Sequence, residues 1–358
     1  MTFAKRLDQI IANRSREEQF SGVVLVKRDE HVLFKAAYDY ANMPWKIRNQ
    51  ADTRFRIASI SKLFTAVAVL QLIEQDKLSL DASVLECLGL ENTKIPGEAT
   101  VQHMLTMTSG IADWFEESGD WQETWAALCR EHPIYLFRRN EDYLPLFVDK
   151  SPLFPVGEKH QYNGAGYILL GLLIEKISGL PYFDYVRQHI FEKAQMTRSD
   201  FLALDGVDEE VAEGYIPIHD KDGKVTDWKR NIYSTTVEAA ADGGATSTVE
   251  DLCHFSRALR EGQLLSAKWT QAMLTPKVLE RPEQFKGYTW KYGYANFFLL
   301  DKADRIVRWG HTGEEDGVSC RLYYYPRENL DVVMLGNQSW CAGKVAWEIH
   351  DLILEMTP

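Results

Sequence analysis

The chain of 358 residues is poor in cysteine: Cys87, Cys129, Cys253, Cys320 and Cys341 are an odd number, far apart, with no C-x-x-C pair. That spacing argues against a disulfide framework and against a zinc ribbon, and it fits a reducing compartment. Positive charge is also in deficit, with 40 Lys+Arg against 52 Asp+Glu and a net charge of −12. Such a surface repels a phosphate backbone, so nucleic acid is not an expected partner. Long apolar runs are missing as well. The longest, from Leu63 to Leu70, stops at Gln71, well short of the ~18 residues of a membrane span. The opening Met1-Thr2-Phe3-Ala4-Lys5-Arg6 has no apolar stretch behind its charges, so the sequence as written reads as cytoplasmic. The nine histidines show no H-E-x-x-H spacing. Asp220-Lys221-Asp222-Gly223 has Ile218 where a calcium loop would start and Lys229 where its closing glutamate would stand, so it reads as a hairpin turn. No metal or cofactor is expected, and no repeat or low-complexity tract interrupts the chain.

What remains is ordinary globular material, 45% hydrophobic and 26% charged, and enough of it for about two domains at ~150 residues each. Phe3, Leu7, Ile10 and Ile11 at one end, and Val345, Ile349, Leu352, Ile353 and Met356 at the other, have helical spacing. Inside them lie two strand clusters. The first is a hairpin, Gly22 to Lys27 and Val32 to Tyr38. The second is a meander of Tyr294 to Leu300, Arg305 to His311, Val318 to Tyr325 and Leu330 to Leu335. Residues 59–275 are mainly helical. Ser247-x-x-Glu250 reads as a capping box, Gly179 as a helix stop, and Pro181 as a residue of the next helix's first turn. The economical fold is α+β: one antiparallel sheet formed by both ends of the chain (1–58 and 276–358), flanked by terminal helices, with a large helical insertion (59–275) and the active site between the two.

Chemistry is most plausible where a short strand around Arg56 meets a helix that is apolar nearly all round. Ser59 and Lys62 there are three apart and share a helical face. A serine in the first turn has a backbone N–H free for an oxyanion, and a desolvated lysine is a candidate base. The ordinary reading, an N-cap serine and a solvated lysine, fits these four residues equally well.

The wider context decides between them. Phe55 to Ala66 closely resembles the nucleophile segment of the serine β-lactamase-related hydrolases of the class C type, and four further segments match in order. Val101 to Ile111 is similar to their L-L-x-H-T-S-G-I stretch, and Gly157 to Tyr162, continuing to Gly171, to their tyrosine motif. Asp242-Gly243-Gly244-Ala245-Thr246-Ser247-Thr248 resembles their G-G-x-x-S-T helix start, and Gly310-His311-Thr312-Gly313 their H-T-G strand. The resemblance, spanning about residues 20–338, implies Ser59 as the acylated nucleophile and Lys62 with Tyr162 as the system that takes its proton. Free lysine and tyrosine both titrate near pH ~10, so one of the two must be pulled down. It also implies an oxyanion hole from the N–H groups of Ser59 and Glu314, the latter just past Gly313. His311 and Thr312 would line the site and bind the polar end of a substrate.

One departure stands out: the run Tyr162-Asn163-Gly164 puts glycine where the family's motif asparagine, which helps hold the lysine and the substrate amide, should be. With Asn163 one residue early and His311 in place of the K-T-G lysine, the expectation moves from efficient β-lactam hydrolysis toward an esterase or a peptidase acting on D-amino acid compounds. Gly164→Asn should then raise cephalosporin hydrolysis. A non-turnover penicillin-binding or scaffold protein that keeps the fold is the alternative. The partner in either case is a small ester, amide or peptide. Glu314-Glu315-Asp316 reads either as a solvated turn or as an acidic patch that selects cationic substrates, and the aromatic stretch from Asp113 to Phe154 as local core or as a roof over the pocket.

Overall fold

The computed structural model describes residues 2–17, 19–116 and 120–355. The two terminal helices form as their spacing predicts. Helix α1 (Phe3–Arg16) starts where the hydroxyl of Thr2 accepts from the Lys5 N–H, and it buries Leu7 and Ile11. The C-terminal helix (Ala342–Glu355) buries Val345, Ile349, Leu352 and Ile353; Met356 lies outside the described residues. Both pack on one face of the sheet, where Val24, Val26, Val332 and Met334 meet them in a single apolar cluster.

Eight strands build that sheet: β1 (Gly22–Arg28), β2 (His31–Tyr38), β3 (Val278–Leu279), β4 (Thr289–Tyr292), β5 (Phe297–Leu300), β6 (Ile306–Glu315), β7 (Val318–Tyr325) and β8 (Leu330–Gly336). Their order is β2-β1-β8-β7-β6-β5-β4-β3, and neighbouring strands are antiparallel. The two ends of the chain meet in the middle, with Gly22 opposite Gly336 and Lys27 opposite Asp331. Two strands escape the pattern reading. Val278–Leu279 at the sheet edge and Thr289–Tyr292 beside it are short and without a clean apolar alternation. Strand β6 runs four residues past His311, because β7 pairs with it as far as Glu315 opposite Val318 and Gly317 closes the turn.

Helix α2 (Lys62–Glu74) is buried from Lys62 to Ile73 and runs through the centre of the molecule. Leu63 and Val67 from this helix, Leu169 and Leu173 from α3 (Ala165–Ser178), and Val23, Leu25 and Val333 from the other face of the sheet share one continuous core. At roughly 1.5–3 kcal/mol per fully buried aliphatic side chain, this core welds the helical region to the sheet. Helix α3 stops at Gly179 in a left-handed conformation. Two local readings shift, and the hairpin read at Asp220 is found. Helix α4 (Val249–Arg260) is capped by Thr248, whose hydroxyl accepts from Asp251 N, not by Ser247, which is drawn into a two-residue pairing with Phe55. Pro181 is the residue before the short helix Tyr182–Val186 rather than in its first turn. The strands Tyr215–His219 and Val225–Arg230 form a hairpin, and the Asp220 carboxylate at its turn accepts from Asp222 N and Lys224 N. Numbering the C-terminal helix as α5, no single helix among the described residues is long and apolar enough to cross a membrane.

Candidate active site

The turn that carries Ser59 is held from both sides. Arg56 pairs with Thr246, and Ile57 N donates to Ala245 O at 2.8 Å. Ala58 then takes φ 45°, a left-handed conformation that costs a residue with a side chain on the order of 1–3 kcal/mol. What holds it is its carbonyl, which accepts from the Ser61 hydroxyl at 2.8 Å and from Gly244 N at 3.2 Å. Ser61 is thereby used up as a clamp, its Oγ also accepting from Ala245 N. The strained turn leaves Ser59 half-buried while Ala58, Ile60, Ser61 and Lys62 around it are buried.

Lys62 opens α2 one turn later and is 2% exposed. Its Nζ donates to Ser59 Oγ at 3.1 Å and to the Asp242 carbonyl at 2.5 Å. It also stands over the face of Tyr162, 5.0 Å from the ring centroid. Tyr162 is placed by the T-S-G segment: Gln161 N donates to Met107 O and Gly157 N to Thr108 O. Its ring stacks on Phe297. Ser59, Tyr162 and Thr312 open onto one cavity of about 390 Å³, and Trp121 from the aromatic segment lines it as well. Ser59 and Lys62 also line a smaller one of about 60 Å³, with Trp114 and Trp121 in its wall.

Strand β6 passes directly against the serine turn. A Cβ on Gly313 would stand 2.2 Å from Ile57 O, so only glycine lets the strand come this close. Because side chains alternate along a strand, Arg308, Thr312 and Glu314 face the large cavity and His311 faces the other way. His311 is therefore not a wall of the substrate cavity. It is fully buried, packed near Phe297, Tyr162 and Tyr292. Its Nδ1 sits 2.5 Å from Thr312 O. Burial, and secondarily the charge of Lys62, push its pKa down to about 3, so it is neutral. Stability linked to this group is full above pH ~6.5 and falls as pH drops toward 3, by ~1.4 kcal/mol per unit, since only the unfolded chain takes up the proton there. Asp113, pushed up to about 6 chiefly by burial, works in the opposite sense between 6 and 3.8. His311→Gln is expected to flatten the acid limb of stability between pH 6.5 and 4 in urea titrations; an unchanged slope contradicts the assignment.

Asn163 is also placed elsewhere. Its Nδ2 donates to Ile111 O and its Oδ1 accepts from Gly166 N, which makes it a clamp on the start of α3, turned from Lys62. The acidic run is neither a solvated turn nor an open acidic patch. Glu314 pairs with Arg321 at 2.5 Å, Glu315 with Arg56 at 2.6 Å, and Asp316 is buried. Both arginines are themselves under 10% exposed, so the charges of the two glutamates are cancelled in place.

Sequence reasoning missed what fills the motif asparagine's space. A Cβ on Gly164 would lie 2.7 Å from Asp242 Oδ2 and 2.8 Å from Trp114 Nε1. The Asp242 carboxylate accepts from that indole at 2.9 Å, and Lys62 is its principal cation. Beside it, Asp113 accepts from the N–H groups of Gly164 and Ala165 and so caps α3. The available signal was the aspartate directly before Gly243-Gly244, in a segment already matched for its glycines.

The pattern that defines the family named Beta-lactamase matches residues 7–341. The chain belongs to the Beta-lactamase family. Within this family, the chain is similar to a penicillin binding protein from Bacillus halodurans of known structure, at 36% identity with a TM-score of 0.86, over 97% of this chain and 99% of that one. It is 26% identical to Penicillin-binding protein 4* of Bacillus subtilis, over 93% of this chain and 72% of that protein. It is 22% identical to a D-aminopeptidase of Brucella anthropi, over 93% of this chain but only 59% of that protein's length. The antiparallel sheet with its helical insertion is thus the fold of this family.

Proposed function

We propose that the chain is a serine hydrolase that cleaves esters or amides through an acyl-enzyme on Ser59, at the junction of the sheet portion (1–58 and 276–358) and the helical insertion (59–275). The observation that carries this is the half-buried Ser59 hydroxyl, 3.1 Å from the Nζ of a buried lysine and open to the same cavity as Tyr162 and Thr312. In this reading Ser59 Oγ attacks the carbonyl carbon and its proton passes to the Lys62–Tyr162 system. The N–H groups of Ser59 and Glu314 receive the oxyanion. The proton then goes to the leaving oxygen or nitrogen as the C–O or C–N bond breaks, and water returns the acyl group as a free acid.

The Asp242 carboxylate bears on the substrate. An asparagine amide both donates and accepts, whereas the Asp242 carboxyl group has no N–H and already accepts from Trp114 Nε1. The carbonyl of a β-lactam's side-chain amide therefore loses a donor here, and the preference falls on esters and on D-amino acid derivatives, the substrate type named for the Brucella anthropi relative. Short-chain p-nitrophenyl esters, D-alanine p-nitroanilide and a chromogenic cephalosporin, tested on wild type and Ser59→Ala, decide the matter. Ester or D-amino acid turnover is expected to exceed cephalosporin turnover by at least about 100-fold in kcat/KM, roughly 2.7 kcal/mol, and to vanish in Ser59→Ala. Equal efficiencies, or fluorophosphonate label on Ser61 or Ser109, overturn the reading.

A further inference from the structure

The large cavity does not end at the nucleophile. It continues along β6 and β7 toward the first turns of α5, and its far wall holds Arg308, four residues before Thr312 and so about 13 Å along the strand. Three arginines line the cavity. Arg281 is paired with Glu280 and Arg321 with Glu314, so each of those charges is cancelled. Arg308 is 3% exposed and makes no ion pair among the described residues. Its Nη1 donates to Tyr325 Oη at 3.2 Å, and the rings of Tyr323 and Trp347 lie 4.1 and 4.6 Å from its Cζ. Behind Tyr325 the network stays uncharged, running from its hydroxyl to His350 and on to Tyr288. Burial and the nearby Arg308 hold His350 neutral, with its pKa near 3.

A buried guanidinium without a carboxylate is costly. Aromatic faces return only part of that, about 2 kcal/mol each when desolvated. A protein that keeps this arrangement at the wall of its reaction cavity has a use for the unspent donors. The wall of the cavity that holds both Arg308 and Ser59 is aromatic, with Trp290, Trp340 and Trp347 among its lining residues. We propose that this arm is a second binding subsite, in which Arg308 anchors a carboxylate carried along β6 away from the scissile carbonyl by an extended substrate whose apolar middle crosses the tryptophans. A carboxylate suits the site because it meets a guanidinium edge in plane with two parallel hydrogen bonds, while rings cover the guanidinium's faces. The identity of the anion's carrier as a substrate rests on the hydrolase reading; the binding itself does not.

The test therefore has two arms. In the first, Ser59→Ala protein is titrated with aryl-alkyl carboxylates of increasing chain length and with the matching carboxamides, following tryptophan fluorescence and heat. Binding of the carboxylate is expected to be at least tenfold tighter than that of the carboxamide, only at lengths that span the arm, and the difference is expected to fall below twofold in Ser59→Ala/Arg308→Gln. In the second arm, p-nitrophenyl esters ending in carboxylate or carboxamide are compared in wild type and Arg308→Gln, by the ratio of their kcat/KM values. Arg308→Lys keeps the charge but not the planar stack, and it replaces the glutamine variant if that one does not fold; its preference is expected to drop at least threefold. Equal binding of carboxylate and carboxamide, or a preference untouched by both Arg308 variants, overturns the subsite. Loss of all Ser59-dependent turnover with the carboxylate preference intact in the first arm instead overturns the hydrolase reading alone.

Discussion

Lys62→Met is expected to lower kcat/KM on any accepted ester by at least about 10³, some 4 kcal/mol of transition-state stabilisation. Methionine nearly matches the lysine stem in volume, so the packing of α2 is kept and only the Nζ is lost. That atom is the one polar group hydrogen-bonded to Ser59 Oγ from the α2 side, and without it the hydroxyl has no nitrogen to exchange a proton with. Stability is expected to fall too, by ~1–3 kcal/mol, because the Asp242 carbonyl loses its 2.5 Å donor and the buried Asp242 carboxylate loses its main cation. The two losses separate in Lys62→Met/Asp242→Asn. Neutralising the carboxylate should return part of the stability in urea unfolding, whereas turnover should stay absent. Recovery of turnover in the double variant would mean that Lys62 serves only as a counter-ion.

The parts of this molecule that were legible in the sequence are the local ones. The paired ends of the sheet came from strand-length apolar runs with turn residues between them, and the Ser59–Lys62 contact from a three-residue spacing that any helical turn turns into proximity. Asp242 reaches Lys62 across 180 residues and Arg56 reaches Glu315 across 259, and no periodicity reports such a meeting. This is why Glu314-Glu315-Asp316 looked like either a solvated turn or an acidic patch. The arginines that neutralise the glutamates come from a short strand near residue 56 and from the neighbouring β7. His311 was misplaced for a different reason. Its motif neighbour Thr312 does face the cavity, and the period of two along β6 then obliges His311 to face the core. Applied strictly, the same alternation points from Thr312 through Gly310 to Arg308, so that residue was within reach of sequence reasoning.

Gly164→Asn, the change that restores the family's motif on paper, is expected to reduce cephalosporin and ester hydrolysis together, by at least about 100-fold. The family comparison alone leads to the opposite expectation, a gain on cephalosporins. The difference lies in what already occupies the space. A Cβ at 164 meets Asp242 Oδ2 at 2.7 Å and Trp114 Nε1 at 2.8 Å, and an asparagine then needs three further heavy atoms where the two already hydrogen-bond to each other. Displacing the Asp242 carboxylate moves the carboxyl group that faces Lys62, on the residue whose carbonyl is one of the two groups that fix Lys62 beside Ser59. A shift of about 1 Å at a reacting group is enough for a loss of about 10², and forced overpacking costs a further ~1–3 kcal/mol of stability. If this account holds, room is the whole difficulty. Gly164→Asn/Asp242→Ser removes the carboxylate that blocks the new side chain, and it should recover stability relative to Gly164→Asn and raise the ratio of cephalosporin to ester turnover above that of wild type. A single Gly164→Asn variant as stable and as active as wild type, measured by thermal unfolding and by kcat/KM on both substrates, would show that Asp242 yields freely and does not stand in for the missing asparagine.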